Sequence, residues 1–134
     1  MSNLSKIEGI GEAYMAKLKA AGITSSEQLL EKGATPAGRK ELETATGIAH
    51  ALLLRWINNA DLFRVKGIGE EYADLLEAAG VNTVPELAQR SAENLAAKLV
   101  EVNEAKKLVR KLPTAAQVAD WVTQAKALPR VLTY

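Results

Sequence analysis

Two short glycine-containing segments are the parts of this chain whose residue types and spacing best suggest binding chemistry. They read Gly9-Ile10-Gly11 (the first glycine segment) and Gly67-Ile68-Gly69 (the second glycine segment). Glycine reaches positive φ without strain and lets a ligand approach the backbone closely. At the start of a helix, unpaired N–H groups and the positive end of the helix dipole favour a phosphate oxygen. Both segments are therefore candidate contacts for a phosphate backbone.

The charges around the two segments differ. Residues 5–23 contain three lysines, Lys6, Lys17 and Lys19, against two glutamates, whereas residues 65–81 contain one lysine against four acidic residues. Carboxylates in the first turn of a helix suit its dipole but repel phosphate, so we expect the second glycine segment to be structural. The first segment, with its three lysines, is the better candidate for contact with phosphate. The alternative is that both segments are only compact connections between helices.

A run of four cations near residue 110 is a second candidate surface. The sequence predicts a basic helix over residues 103–111, stopped by a proline, that carries Lys106, Lys107, Arg110 and Lys111. In such a helix Lys106 and Arg110 lie one turn apart, as do Lys107 and Lys111. Four cations on one flank could neutralise a few phosphates, and each contact would add to the salt dependence of binding. The plainer interpretation is a solvated helix face balanced by nearby glutamates.

Other residue types that carry chemistry are sparse. The chain has no cysteine and one histidine, His50, so thiolate sites are excluded and a histidine-based metal site or triad lacks partners. The first glycine segment lacks the third glycine and the preceding strand of a dinucleotide fingerprint. We therefore expect no enzymatic activity, no cofactor and no metal.

Composition favours a helical fold, and the lack of a targeting or membrane-spanning segment makes a cytoplasmic protein the default expectation. Of the 134 residues 48% are hydrophobic and 4% aromatic, with alanine and leucine dominant, which suits packed helices better than sheets. The net charge is +1, so nucleic acid would have to be bound through a local patch. The first residues lack the pattern of a signal peptide, and no apolar run is long enough to span a membrane.

The chain repeats itself with a shift of 58 residues, which superimposes the two glycine segments. Other aligned pairs are Tyr14 with Tyr72, Leu18 with Leu76 and, after a slip of seven residues, Trp56 with Trp121. The helix after the first glycine segment is expected to end at Gly22, and the helix after the second is expected to end at Gly80. Further helix starts are predicted at Ser25 or Ser26, Thr35, Thr83, Ser91 and Thr114. A helix is also predicted over residues 49–59. No useful segment alternates with period two, so an all-α fold is expected.

The pattern hydrophobic-x-Gly-hydrophobic-Gly, followed by small and aliphatic residues at helical spacing, resembles the helix-hairpin-helix motif of recombinases and DNA repair proteins. In this chain it reads Ile7-x-Gly9-Ile10-Gly11 leading to Leu18, and Val65-x-Gly67-Ile68-Gly69 leading to Leu76. The resemblance implies hairpins that grip the DNA backbone without reading bases. The tandem layout and the last six residues also resemble an uncharacterised bacterial family of domains of unknown function, which implies no activity.

A helix-hairpin-helix unit needs a helix before its hairpin, and the first repeat lacks one. We therefore predict that the helix containing Trp121 packs beside the first hairpin and closes residues 1–134 into one pseudo-two-fold domain. Its two tandem units would be residues 1–64 and residues 65–134, the second including the closing helix. Exchange of that helix between two chains is the alternative, so the protein is expected to be a monomer or a homodimer.

The sequence favours a non-enzymatic module that binds DNA or another nucleic acid weakly and without sequence specificity. The contacts would come from the first glycine segment with its lysines, or from the cations of residues 106–111. The competing function is a protein-interaction or scaffolding domain in which both hairpins are packing devices. The near-neutral charge and the acidic helix after the second glycine segment favour this alternative.

Overall fold

The computed structural model describes Leu4, Ile7 and residues 9–134. These described residues form eight α-helices and no β-strand, which confirms the predicted all-α class. The helices are α1 (Glu12–Ala20), α2 (Ser26–Lys32), α3 (Pro36–Thr46), α4 (His50–Leu62), α5 (Glu70–Ala78), α6 (Val84–Ala88), α7 (Ala92–Lys106) and α8 (Ala115–Ala127). Within the described part of the chain, none of the helices combines the length and the apolar character needed to cross a bilayer.

Hydroxyl side chains begin four of these helices, as predicted. Each accepts a hydrogen bond from the backbone N–H three residues later, which satisfies a donor that the helix itself leaves unpaired. The capping residues are Ser25, Thr35, Ser91 and Thr114. At α6 the predicted capping box does not form, because the Thr83 hydroxyl donates to the Glu86 carboxylate at 3.1 Å instead of accepting from the backbone.

The helices that follow the glycine segments end where the sequence predicts. In α1 and α5 the N–H of the residue after the terminal glycine donates to a carbonyl five residues earlier, which is the Schellman ending. These bonds run from Ile23 to Leu18 at 2.9 Å and from Val81 to Leu76 at 2.8 Å. The repeat in the sequence is therefore also a repeat of local structure.

The prediction of a basic helix over residues 103–111 is wrong. Helix α7 stops at Lys106, because Lys107 has a left-handed φ of 51°. The Asn103 carboxamide then forms hydrogen bonds with both backbone groups of Val109. Its Oδ1 accepts a bond from the Val109 N–H at 3.0 Å, and its Nδ2 donates to the Val109 carbonyl at 3.2 Å. Asparagine side chains compete with helical hydrogen bonds in this way, so the cations after Lys107 lie in a loop.

The chain divides into two compact units. The first contains Met1–Asp61 and Val131–Tyr134, and the second contains Leu62–Arg130. Fully buried side chains of the first unit include Leu18, Leu29, Leu53, Trp56 and Ile57. The core of the second unit includes Leu62, Leu75, Leu76, Leu87, Leu95, Val118 and Trp121.

The sequence analysis placed the Trp121 helix beside the first glycine segment, and the structure shows the Trp121 side chain in contact with the second. The Trp121 indole lies against Gly67 of its own unit, where a Cβ added to the glycine would be 2.9 Å from Nε1. Trp56 lies against Gly9 in the same way, at 3.3 Å. The helix that packs on each glycine segment thus follows it in the chain, as α4 in the first unit and α8 in the second.

Candidate nucleic-acid interface

Each glycine segment lies in a tight turn that precedes a helix. The N–H of the residue between the glycines donates to the carbonyl three residues earlier, and the first glycine has a positive φ. The bonds join Ile10 to Ile7 and Ile68 to Val65, both at 3.2 Å, and φ is 92° at Gly9 and 99° at Gly67. A positive φ at the third position of a turn favours glycine. The first glycine of each segment is therefore explained without a ligand.

The described part of the protein gives no such explanation for the second glycine of each segment. Gly11 and Gly69 precede α1 and α5 with φ of −90° and −105°, values that any residue adopts, and neither helix has a side-chain cap. Among the described residues, no atom lies within 4 Å of a Cβ added at either glycine. Open space for an anion therefore exists at the start of α1, next to the exposed carboxylate of Glu12, which is an unfavourable neighbour for phosphate.

The described lysines near the first glycine segment do not lie beside its turn. Lys6 lies outside the described residues. Lys17 and Lys19 are exposed in the last turn of α1, about 8 and about 10 Å along the helix axis from Glu12. The Lys17 ammonium lies 5.8 Å from the centre of the Tyr14 ring. Cations at the carboxyl end of a helix stabilise its dipole, which is a structural reason for both lysines.

The second glycine segment is held from within its own unit. The Gln124 side chain binds both backbone groups of Lys66: Oε1 accepts the N–H at 2.8 Å, and Nε2 donates to the carbonyl at 3.0 Å. The same Nε2 donates to the Asp120 carboxylate at 2.8 Å. Glu70 and Glu71 occupy the first turn of the helix that follows. These contacts and charges support a structural role for this segment.

The densest run of cations in the chain is residues 106–111, which are the last residue of α7 and the loop after it, and which we name the basic loop. All four of its cations are exposed, and they are Lys106, Lys107, Arg110 and Lys111. No acidic residue stands between Glu104 and Asp120 in the sequence, so no carboxylate within the loop offsets this charge. The positive surface is therefore local, in a protein whose net charge is only +1.

Three hydrogen bonds fix the basic loop to the second unit. Two are the bonds of Asn103 to the buried residue Val109. In the third, the Tyr72 hydroxyl donates to the Lys111 carbonyl at 3.1 Å. The Tyr72 ring packs in turn against Trp121, with ring centres 5.2 Å apart. The four cations therefore stand on a backbone with defined anchors, although they do not share a helix.

The anchoring roles of Asn103, Gln124 and Tyr72 were not predicted from the sequence. Each side chain bonds to backbone atoms of a residue at a separation that follows no helical or strand period. The aligned tyrosines were the one available signal, since Tyr14 packs on Trp56 at 5.1 Å much as Tyr72 packs on Trp121. The alignment indicates the ring contact, but it does not indicate the hydroxyl bond to the loop.

His50 lies exposed at the start of α4, with Nδ1 3.3 Å from the Glu43 carboxylate. The described residues contain no group of three or more histidine, cysteine, aspartate or glutamate side chains able to hold a metal ion.

Residues 8–128 match the family described as "Domain of unknown function (DUF4332)", and the chain therefore belongs to this family. The matched region contains most of the first glycine turn, the whole second turn and the basic loop. Comparison with curated proteins finds no match, and neither does comparison with solved structures. Membership of the family agrees with the expected resemblance to an uncharacterised domain and assigns no activity.

Proposed function

We propose that this DUF4332 protein is a non-enzymatic module, built from two helix-hairpin-helix units, that binds nucleic-acid backbone through the basic loop without sequence specificity. One observation carries the proposal: four exposed cations, with no carboxylate among them, stand on a loop anchored by Asn103 and Tyr72. Anchoring matters because a flexible loop would lose conformational entropy on binding, and a fixed one loses less.

The expected binding is electrostatic. A protein that neutralises phosphates releases counterions, and the logarithm of affinity falls with the logarithm of salt by about 0.9 per phosphate contact. Contact of the basic loop with three or four phosphates would give a slope of about −3 to −4. Backbone contacts carry no base information, so duplexes of unrelated sequence should bind equally well. The small net charge supplies little long-range attraction, so the affinity should be weak.

A salt titration of binding to short duplex and single-stranded DNA tests the proposal. Lys106→Glu with Arg110→Glu should weaken binding about tenfold or more and make the salt slope shallower by about 2. Lys40→Glu with Lys126→Glu is the charge-matched control, because both lysines are exposed and lie outside the loop. An equal loss in the two double variants would show that total charge, and not the basic loop, governs binding.

The first glycine segment is the other possible contact, and the same assay separates it from the loop. Lys17→Glu with Lys19→Glu reverses the charge at the far end of α1. Gly11→Ser fills the open space at the start of α1 and offers a hydroxyl to its free N–H groups. If these variants lose affinity while the loop variants keep it, the phosphate contact belongs to the first glycine segment.

A protein-interaction or scaffolding function is the second candidate. It is favoured by the packing of the tryptophans, because Trp56 and Trp121 account for Gly9 and Gly67 without any nucleic acid. In this function the helix-hairpin-helix units would be connections between packed helices. Failure to bind duplex or single-stranded DNA at low salt would reject the nucleic-acid proposal and leave this candidate.

A further inference from the structure

The last four residues of the chain, 131–134, pack as part of the first unit, although the residues before them belong to the second. We name them the return segment. None of the four lies in a helix or a strand. Leu132 is 1% exposed, whereas Tyr134 is 65% exposed. The segment is therefore held at one buried side chain and otherwise lies on the surface of the unit.

The centre of the return segment is held through its backbone. The Thr133 N–H donates to the Ala34 carbonyl at 2.8 Å, and the Thr133 carbonyl accepts from Nη2 of Arg39 at 2.7 Å. The Thr133 side chain is exposed, and its hydroxyl also donates to the Ala34 carbonyl at 3.3 Å. Backbone bonds of this kind recognise an extended chain regardless of the side chain, as in peptide recognition by added strands.

Arg39 is positioned for this contact by the first unit itself. It is 4% exposed, and its Nη1 donates to the Gly33 carbonyl at 2.8 Å. This bond fixes the guanidinium without any contribution from the return segment. A buried charged group needs such partners, because an unpaired one costs a large desolvation free energy. We name the surface that contacts the return segment the seat. Its hydrogen-bonding groups are therefore already positioned by α2, α3 and their connection.

An aromatic contact completes the seat. The Tyr134 ring lies over the Arg39 guanidinium, 5.3 Å from ring centre to Cζ, and its hydroxyl donates to Oδ1 of Asn58 at 3.1 Å. Arginine stacks favourably on aromatic faces. The seat thus provides a pocket for an aliphatic side chain, a backbone clamp at the next residue and a platform for a tyrosine.

We infer that the first unit carries a binding site for a short extended peptide, and that the return segment occupies it as a separable ligand. The site recognises an aliphatic residue, a residue held by its backbone and a short hydroxyl side chain, and a tyrosine, in that order; in this chain they are Leu132, Thr133 and Tyr134. The covalent link supplies a high effective concentration, so a segment with few contacts remains seated. The same sequence supplied as a free peptide competes for the site once the chain's own segment is weakened.

Hydrogen exchange on the unaltered chain tests whether the segment separates. The Thr133 amide should exchange at least about tenfold faster than the Ile57 amide in α4, after correction for intrinsic rates, because the segment opens without unfolding the unit. If both amides exchange only through global unfolding, the segment is part of the core and the inference is wrong.

Peptide binding to the full chain provides the second test. The receptor is the Leu132→Ser variant, and the probe is the labelled peptide Pro-Arg-Val-Leu-Thr-Tyr, which copies residues 129–134. The variant should bind the probe at least about tenfold more tightly than the unaltered chain does, because the intact segment blocks the site. A probe with serine in place of its leucine should not bind, and adding Arg39→Lys to the receptor should weaken binding of the original probe.

The outcomes of the peptide test are decisive in both directions. Binding of the leucine probe but not of the serine probe, at least about tenfold tighter to the weakened receptor than to the unaltered chain, supports the inference. A folded variant that binds neither probe, or both equally, overturns it. A variant that has lost its helical circular dichroism also overturns it, since a separable ligand can be weakened without loss of the fold.

Discussion

The indole nitrogen of Trp121 occupies space that a side chain on Gly67 would need. A Cβ on Gly67 would be 2.9 Å from Nε1, and φ at this residue is 99°, which side-chain-bearing residues rarely adopt. Trp56 stands in the same relation to Gly9, with 3.3 Å and 92°. Two independent constraints, one of conformation and one of packing, therefore require the first glycine of each segment.

Serine substituted at Gly67, which is constrained, and at Gly69, which faces open space, should have different effects on stability. Gly67→Ser should lower the free energy of unfolding by about 2 to 4 kcal/mol, because left-handed strain and overpacking add. Gly69→Ser introduces the same atoms at a φ of −105° into open space, where serine is a good N-cap, so its effect should be neutral or slightly stabilising. Urea unfolding followed by tryptophan fluorescence measures both, and equal losses would contradict the contact with Trp121.

Local signals predicted much of the fold because their physical cause lies within a few residues. Ser25 and Thr114 cap helices through bonds to N–H groups three residues later, so the sequence contains both partners. The ending at Gly22 is similarly local. The repeat also aligned Trp56 with Trp121, and the structure gives both the same contact with a glycine.

The predictions failed for features that depend on contacts between residues far apart in the sequence or outside regular helical spacing. Several helices of this chain are apolar enough to pack on a glycine segment, and spacing does not tell which one does, so the contact of Trp121 with Gly67 was not predicted. The residue that follows α7 is Lys107, so the glycine or proline that usually marks the end of a helix is missing from this position. The Asn103 side chain binds Val109 beyond the end of that helix, and nothing in the sequence distinguishes this asparagine from any other. Residues 107–111 were therefore predicted to be helical, whereas they form a loop.

Glycine at two neighbouring positions should have opposite effects on stability. Lys107 has a φ of 51°, so Lys107→Gly relieves left-handed strain and should raise the free energy of unfolding by about 1 kcal/mol. Lys106 is the last helical residue of α7, where Lys106→Gly should cost about 0.5 to 1 kcal/mol. Each change removes one positive charge, so the pair is matched in charge. Thermal or urea unfolding of both variants checks the sign, and a loss in both would contradict the left-handed end of α7.

Removing the Asn103 carboxamide should loosen the basic loop without changing its charge. Asn103→Ala deletes both bonds to Val109 and should lower the free energy of unfolding by about 1 to 2 kcal/mol. The Val109 amide should then exchange faster with solvent, and DNA affinity should fall because the loop must be ordered on binding. Asn94→Ala on the exposed face of the same helix is the control and should change neither quantity. Unchanged DNA affinity together with a faster Val109 amide would show that anchoring of the loop does not contribute to binding.

Arg39 should matter to the first unit far more than its neighbour Lys40, although both are cations on α3. The Arg39 guanidinium is buried and donates to the Gly33 and Thr133 carbonyls, whereas Lys40 is exposed. Arg39→Ala removes both bonds and should cost about 1 to 3 kcal/mol of unfolding free energy, while Lys40→Ala should stay within about 0.5 kcal/mol. The Thr133 amide should also lose protection from hydrogen exchange in Arg39→Ala alone. Retained protection in that variant would show that the Ala34 carbonyl and the Leu132 pocket hold the return segment without the guanidinium.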